Sequence, residues 1–410
     1  MPRPPIIFAC ANFPWPLHQG VKLRLYHIIH ALAAIYDVHF VVMTDASQAL
    51  LDESTLESVC KSVNLVPLSS AYCRQFDTFP TSYPKRLARL YQLLFDRFPF
   101  MIQDYRSSDY VSVLRALREK LGDAPAWADT APCAEMALEA GFSRVLVDYD
   151  DIESEQSARS LKLLPWRPYR VLAMADVVKT RRYERTMPSR FSTVVIARAD
   201  DRRHFRRNTT RIHVVPNGVV HTKEIGSASS METLLFIGSF GWGPNSEAVE
   251  WMARAVMPLI RAKRSTVRFV AVGQRGDDGW ARRMRALGAE IHESVESVLP
   301  FYSEATVIVA PLKRGSGTKL KVLEAMMLGR PILATRVAME GIEARHDDAV
   351  LIADSPEDFA AAALRLLDDA ELRDRLKARA RSIAETNYSW ETIRPSILSA
   401  AAAISLSARC

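Results

Sequence analysis

Gly315, Gly317, Thr318, Lys319, Lys321 and Glu324 lie close together in one stretch of the chain, and their types suit an anion held beside a diol. Backbone N–H groups at the start of a helix attract negative charge, and lysines nearby neutralise it. A carboxylate one turn further in can accept two hydrogen bonds from a ribose diol. Taken singly, the pieces have ordinary readings: the lysines as solvated charges, Glu324 as a surface acid, the glycines as a turn. Their order singles them out. Val307–Val309 read as a buried parallel strand, Pro311 to Thr318 as a glycine-bearing loop, and the residues after it as a helix ended by Gly329 and Pro331. Open α/β sheets bind their ligands at such strand-to-helix connections.

The elements that must position this loop recur along the chain. Ile6–Cys10, Val38–Met43, Val63–Val66, Val145–Asp148, Thr193–Ile196 and Ile212–Val215 read as strands. Helical segments alternate with them, beginning with Gly20–Ala34, and Ser47 is a candidate helix cap. A second series follows at Thr233–Ile237, Arg268–Val272, Glu290–His292, Thr306–Val309, Ile332–Ala334 and Ala349–Ile352. Three helices close the chain, over Pro356–Asp368, Glu371–Thr386 and Glu391–Ser405. The alternation predicts an α/β protein with two parallel-sheet, Rossmann-like domains, at residues 1–217 and 232–388. Small and polar residues at 218–231 read as a linker, and 389–410 as a terminal helix. The aromatic-rich stretch Phe76–Ile102 reads as a helical insert, either packed as core or contacting an acceptor or a membrane.

A chain of 410 residues, 48% hydrophobic, is long enough for two cores. Its five cysteines show no metal-ligand spacing, which points to free thiols in a reducing compartment. Pro2–Pro5 lead into only a short apolar run, and no stretch approaches the ~18 apolar residues of a membrane span. A cytoplasmic location is expected. The net charge is +7, with 29 Lys and Arg against 23 Asp and Glu up to Val220, a difference of +6. Much of the excess lies between Lys179 and Arg211. Solvated helix faces and attraction to an anionic inner leaflet both account for it, whereas nucleic acid binding is disfavoured because no aromatic platform is interleaved. Asp148, Tyr149 and Asp150 have the D-x-D form of a divalent-ion site on a nucleotide diphosphate, but a bare tripeptide is weak evidence, and the preferred reading is that Asp148, Asp150 and Asp151 line the inter-domain cleft or cap the helix near Glu153.

The stretch Gly315, Gly317, Thr318, Lys319, Lys321, Glu324, Ala325 and Met326 resembles the donor-site signature of family 4 glycosyltransferases, retaining enzymes of the GT-B fold. It is similar to the branch whose motif runs G-x-G-T-[RK]-x-K-x-x-E-A-M. VVPNGV at Val214–Val219, FIGSF at Phe236–Phe240, PNSEAVEW at Pro244–Trp251 and YSW at Tyr388–Trp390 extend the likeness over the C-terminal half. Near the N-terminus, Pro14–Tyr26 resembles the first loop of the same branch, with Gly20 and Arg24 in place. The resemblance implies two facing Rossmann-like domains, with a last helix crossing back to the first of them. It also implies a nucleotide-sugar donor as co-substrate, no metal cofactor, and a glycan or lipid-linked sugar acceptor, in bacterial exopolysaccharide or envelope glycan assembly with possible contact at the inner face of the membrane. It places Lys319 and Lys321 on the pyrophosphate, Gly238, Ser239 and the loop Gly315–Ser316–Gly317–Thr318 around it, and Glu324 on the ribose. Gly20 would stand opposite, and His18 is a further catalytic candidate. Two departures stand out: Ser316 replaces a glutamate that many members carry, and FGWGP at Phe240–Pro244 lacks their basic residue, whose task Lys319 or Arg314 can take. A nucleotide-sugar epimerase and a non-catalytic nucleotide-binding protein are the alternatives, since fold does not fix function.

Overall fold

The apolar runs assemble into two wholly parallel sheets. The computed structural model describes residues 2–15, 17, 20–44, 56–67, 90–91, 95–163, 169–205, 209–225, 232–274, 276–315 and 317–406. The first sheet has seven strands, β1 (Pro5–Cys10), β2 (Asp37–Thr44), β3 (Ser62–Pro67), β4 (Ala126–Ala128), β5 (Val145–Asp148), β6 (Thr193–Ile196) and β7 (Ile212–Val214). They are ordered β3-β2-β1-β4-β5-β6-β7. The second has six, β8 (Thr233–Ile237), β9 (Arg268–Gly273), β10 (Glu290–Glu293), β11 (Val307–Ala310), β12 (Ile332–Ala334) and β13 (Leu351–Ile352), ordered β10-β9-β8-β11-β12-β13. Both sheets therefore reverse their strand order once, between β1 and β4 and between β8 and β11. Parallel strands covered on both faces must be apolar throughout, and β1, β4, β5, β6, β8, β11 and β12 are buried along nearly their whole length.

Two compact units result, Met1–Pro216 with Arg394–Cys410, and Asn217–Ile393. In the first unit the register places Phe8 level with Phe40 and Trp127, and the three rings stack across β2, β1 and β4 with centroids 5.9 and 6.5 Å apart. β4 is a strand that the sequence pattern did not indicate. The last helix, Trp390–Leu406, groups with the first unit from Arg394 onward, and Arg144 donates to the Ser405 carbonyl at 3.2 Å. The expected return of the chain to its first domain is thus present. Of the expected linker, residues 218–225 are described and lie in the second unit. There the Val219 N–H donates to the Tyr388 carbonyl at 2.8 Å and the Ile225 N–H to that of Leu328 at 3.3 Å. Ser47 and most of Phe76–Ile102 lie outside the described residues.

Capping chemistry fixes the helices around the second sheet. Ser355 accepts from the Asp358 N–H at 3.1 Å and Asp369 from that of Leu372 at 2.8 Å, each satisfying a donor that its helix leaves open. Gly243–Trp251 continues through a π turn at Met252–Val256 into Met257–Lys263. Pro258 lies just beyond that turn and lacks the N–H that an unbroken ladder needs. Gly329 ends the helix Leu320–Met327 in the left-handed conformation, φ +66°, while the Arg330 N–H donates back to the Ala325 carbonyl at 2.9 Å.

Candidate functional site

The strand order of the second sheet reverses between β8 and β11, and the two segments that leave their carboxyl ends are Gly238–Trp242 and Pro311–Lys319. A crevice outside such a reversal is where a doubly wound sheet takes its ligand. Leu320–Met327 starts directly after the second segment, and its first turn has no side-chain cap. The Thr318 hydroxyl oxygen is buried there and has no hydrogen-bond partner among the described residues. An uncapped helix start beside an unsatisfied hydroxyl offers donors to an anion.

Lys321 reaches back from the first turn of this helix to the end of β8. Its ammonium donates to Asn245 Oδ1 at 2.6 Å and lies 4.2 Å from the centre of the Phe236 ring. Asn245, from the helix Gly243–Trp251, in turn donates through Nδ2 to the Ser239 carbonyl at 2.8 Å. The convergence is crowded at Gly238: a Cβ there would stand 2.6 Å from both Lys321 Nζ and Asn245 Nδ2, and one of these side chains would have to shift. Gly273 is tighter still, since a Cβ there would lie 2.0 Å from the Gly238 carbonyl oxygen.

Burial pushes the Lys321 ammonium down to about 7, with Glu324 opposing and Lys319 reinforcing that shift. Burial raises Glu324 above the ordinary carboxylate range, against the pull of Tyr302 and Lys321. The Tyr302 hydroxyl, from the helix Leu299–Glu304, donates to Glu324 Oε2 at 3.3 Å and holds one carboxylate oxygen. Lys321 is thus a buried cation whose charged form burial disfavours, a perturbation typical of functional sites.

The site therefore gathers Gly238, Ser239, Lys321 and Glu324 from the residues the sequence singled out, with Gly315, Gly317 and Thr318 on the adjoining loop. Gly315 and Gly317 adopt φ +122° and +69°, and the indole of Trp242 packs 3.0 Å from where a Gly315 Cβ would be. Lys319 is buried and donates from Nζ to the Gly317 carbonyl at 2.6 Å, so its side chain braces the loop. Arg314, an alternative source of the missing basic group, is paired with Glu247 through two contacts of 2.6 and 2.5 Å. Ser316 and His18 lie outside the described residues. Gly20 opens the helix Gly20–Ala33 of the first unit. Asn245 and Tyr302 were not singled out. The PNSEAVEW motif contains Asn245, whereas Tyr302 carries no local signal.

In the first unit, the D-x-D segment has a different use. Asp148 is buried and receives Arg24 Nε at 3.0 Å and Nη2 at 2.7 Å, one on each oxygen. Arg24 also donates to the carbonyls of Val215 and Pro216 at 2.9 and 3.2 Å. Both Asp148 oxygens are taken up by a guanidinium, and among the described residues no group of acids, histidines and cysteines is arranged to hold a metal ion.

Residues 232–369 match the family described as glycosyl transferases group 1. A stretch of 78 residues is 32% identical to glycosyltransferase 1 domain-containing protein 1 of Xenopus tropicalis, covering 19% of this chain and 23% of that one. The chain thus spans about a quarter of that curated relative. Among solved structures, TarM of S. aureus superposes with a TM-score of 0.68 at 10% identity, over 97% of this chain and 98% of that one. HepE of Anabaena, solved with UDP and glucose, gives 0.65 at 13% identity, over 98% and 99%. Two parallel sheets and these likenesses give the chain the GT-B fold, and its residues 232–369 match the group 1 glycosyl transferases.

Proposed function

We propose that the protein is a retaining glycosyltransferase that moves a sugar from a nucleotide diphosphate donor to an acceptor hydroxyl without a metal ion. The observation that carries this reading is the convergence of Lys321, Asn245, Gly238 and Glu324 at the strand-order reversal of the second sheet. The donor diphosphate would lie against the uncapped start of Leu320–Met327 and draw Lys321 into its charged form. Glu324, fixed by Tyr302, would accept from the ribose. As the bond from the sugar's anomeric carbon to the phosphate oxygen breaks, its electron pair goes to that oxygen. Lys321 and the helix N–H groups then stabilise the growing charge. The acceptor oxygen bonds to the anomeric carbon on the face the phosphate leaves, and its proton passes to the departing phosphate. Retention, the lipid-linked sugar acceptor, the exopolysaccharide or envelope glycan pathway and a cytoplasmic place at the inner face of the membrane are supported by the motif likeness.

The test is release of nucleoside diphosphate from a panel of UDP-, GDP- and other nucleotide sugars in EDTA, by wild type, Lys321→Ala and Glu324→Gln. Metal-free release by wild type, lost in Lys321→Ala and reduced in Glu324→Gln, supports the reading. Tight diphosphate binding without turnover of any donor would point to a non-catalytic nucleotide-binding protein, and activity that needs Mg²⁺ and ignores both substitutions would overturn the site.

A further inference from the structure

The helix Tyr169–Arg190 carries a second organised feature, on the face turned away from its core contacts. Ala173 and Val177 pack with Leu161, and further along Tyr183 and Met187 enter the main core of the first unit. The exposed positions are Val171, Met174, Ala175, Val178, Arg181, Arg182, Arg185 and Ser189, which recur at helical spacing as one continuous stripe. The stripe is apolar in its first half and carries three arginines in its second, with no acid anywhere on it. Asp176 and Glu184 are turned elsewhere, Asp176 accepting from the Phe100 N–H at 3.0 Å and Glu184 from the hydroxyls of Tyr149 and Ser154. Val171, Met174 and Val178 are 53, 52 and 47% exposed.

A neighbouring segment adds to the apolar half. Tyr91 and Phe95 are 65 and 71% exposed, with ring centroids 4.8 Å apart, and the chain just after them is fastened to this helix where Lys179 donates to the Asp96 carbonyl. Leu90, Tyr91 and Phe95 together with Val171, Met174 and Val178 make up half of the large hydrophobic side chains that stand exposed among the described residues. No helix of the described residues is long and apolar enough to cross a membrane.

We propose that this stripe is a docking surface for an anionic lipid bilayer, with Val171, Met174 and Val178 entering the acyl boundary and Arg181, Arg182 and Arg185 lying among the headgroups. Charge selects this occupant over a second copy of the chain, because two such stripes would bring six arginines together with no acid to offset them. Apolar side chains that enter the interface and cations that meet anionic headgroups are the two terms of interfacial helix binding. The inference deepens the placement at the inner face of the membrane proposed above, but it uses no residue of the donor site, so its failure would leave the transferase reading standing.

The test is flotation of the full chain with phosphatidylcholine vesicles, with and without about a third phosphatidylglycerol, in the absence of any nucleotide sugar. Wild type should bind the anionic vesicles at low salt and release at high salt. Arg181→Ser/Arg182→Ser/Arg185→Ser should bind roughly a hundredfold more weakly, at about tenfold or less per arginine. Met174→Glu/Val178→Glu should fail to float at any salt. All five positions are exposed, so both variants should keep the wild-type melting temperature, and nucleotide release should be unchanged. Wild type that ignores anionic vesicles, or variants that float as wild type does, would overturn the proposal. A self-association that Met174→Glu/Val178→Glu abolishes would overturn it in favour of a second copy.

Discussion

Replacing Lys321 by methionine should make the unliganded protein more stable while it abolishes diphosphate binding. Burial brings the ammonium from 10.5 to about 7, and each unit corresponds to about 1.4 kcal/mol, so the charged form costs the fold up to about 5 kcal/mol at pH 7 and below. Methionine removes that cost but leaves Asn245 Oδ1 without its donor, which returns about 1–3 kcal/mol. A net gain of roughly 2–4 kcal/mol near pH 6.5 is expected. The sign with pH follows from which state holds more protons. Below about 7 both folded and unfolded chains keep the Lys321 proton, and the cost is present in full. Between about 7 and 10.5 the folded protein has released it and the unfolded chain has not, so wild-type stability climbs with pH through this window and the advantage of the variant shrinks. Urea unfolding at pH 6.5 and pH 9 with both proteins measures this directly. A Lys321→Met variant less stable than wild type at pH 6.5, or an advantage that does not diminish by pH 9, would refute a discharged, buried lysine.

Other substitutions probe the supports of the site. Gly273→Ala should cost more than about 2 kcal/mol and lower the melting temperature, because its methyl would press on the Gly238 carbonyl, a backbone group that cannot step aside. Asn245→Ala should weaken nucleoside diphosphate binding about tenfold, measured by calorimetry, since Lys321 loses the amide that aims it. In the first unit, Arg24→Ala strands Asp148, whose carboxyl burial already holds up to about 6. The loss should be about 3–5 kcal/mol. It should be larger at pH 8, where the stranded carboxyl must ionise or bind a proton at a cost, than at pH 5, where it is readily protonated. Equal losses at the two pH values would contradict this.

Much of the framework was legible because parallel strands buried on both faces must be continuous apolar runs, and VVI, VIVA and TLLFI are such runs. β4 escaped because Ala126–Trp127–Ala128 is short and has no β-branched residue. It is a strand because Trp127 completes the ring stack with Phe8, a contact made between residues far apart in sequence. The glycine-bearing loop was legible for a local reason, as two glycines at positive φ and a lysine in the first helical turn follow one another in the chain. Its partners were not. Asn245 lies 76 residues from Lys321, and Tyr302 lies 22 from Glu324. The same limit applies to Asp148, whose partner Arg24 lies 124 residues away and donates to both of its oxygens.

The most direct measurement is a crystal structure of the protein soaked with the nucleoside diphosphate of whichever donor it turns over, collected in EDTA. The diphosphate should lie between Gly238 and the first turn of Leu320–Met327, with Lys321 turned onto a phosphate oxygen and Glu324 on the ribose hydroxyls. A nucleotide bound elsewhere, or one whose diphosphate makes no contact with Lys321 and whose ribose makes none with Glu324, would contradict the assignment of this crevice as the donor site.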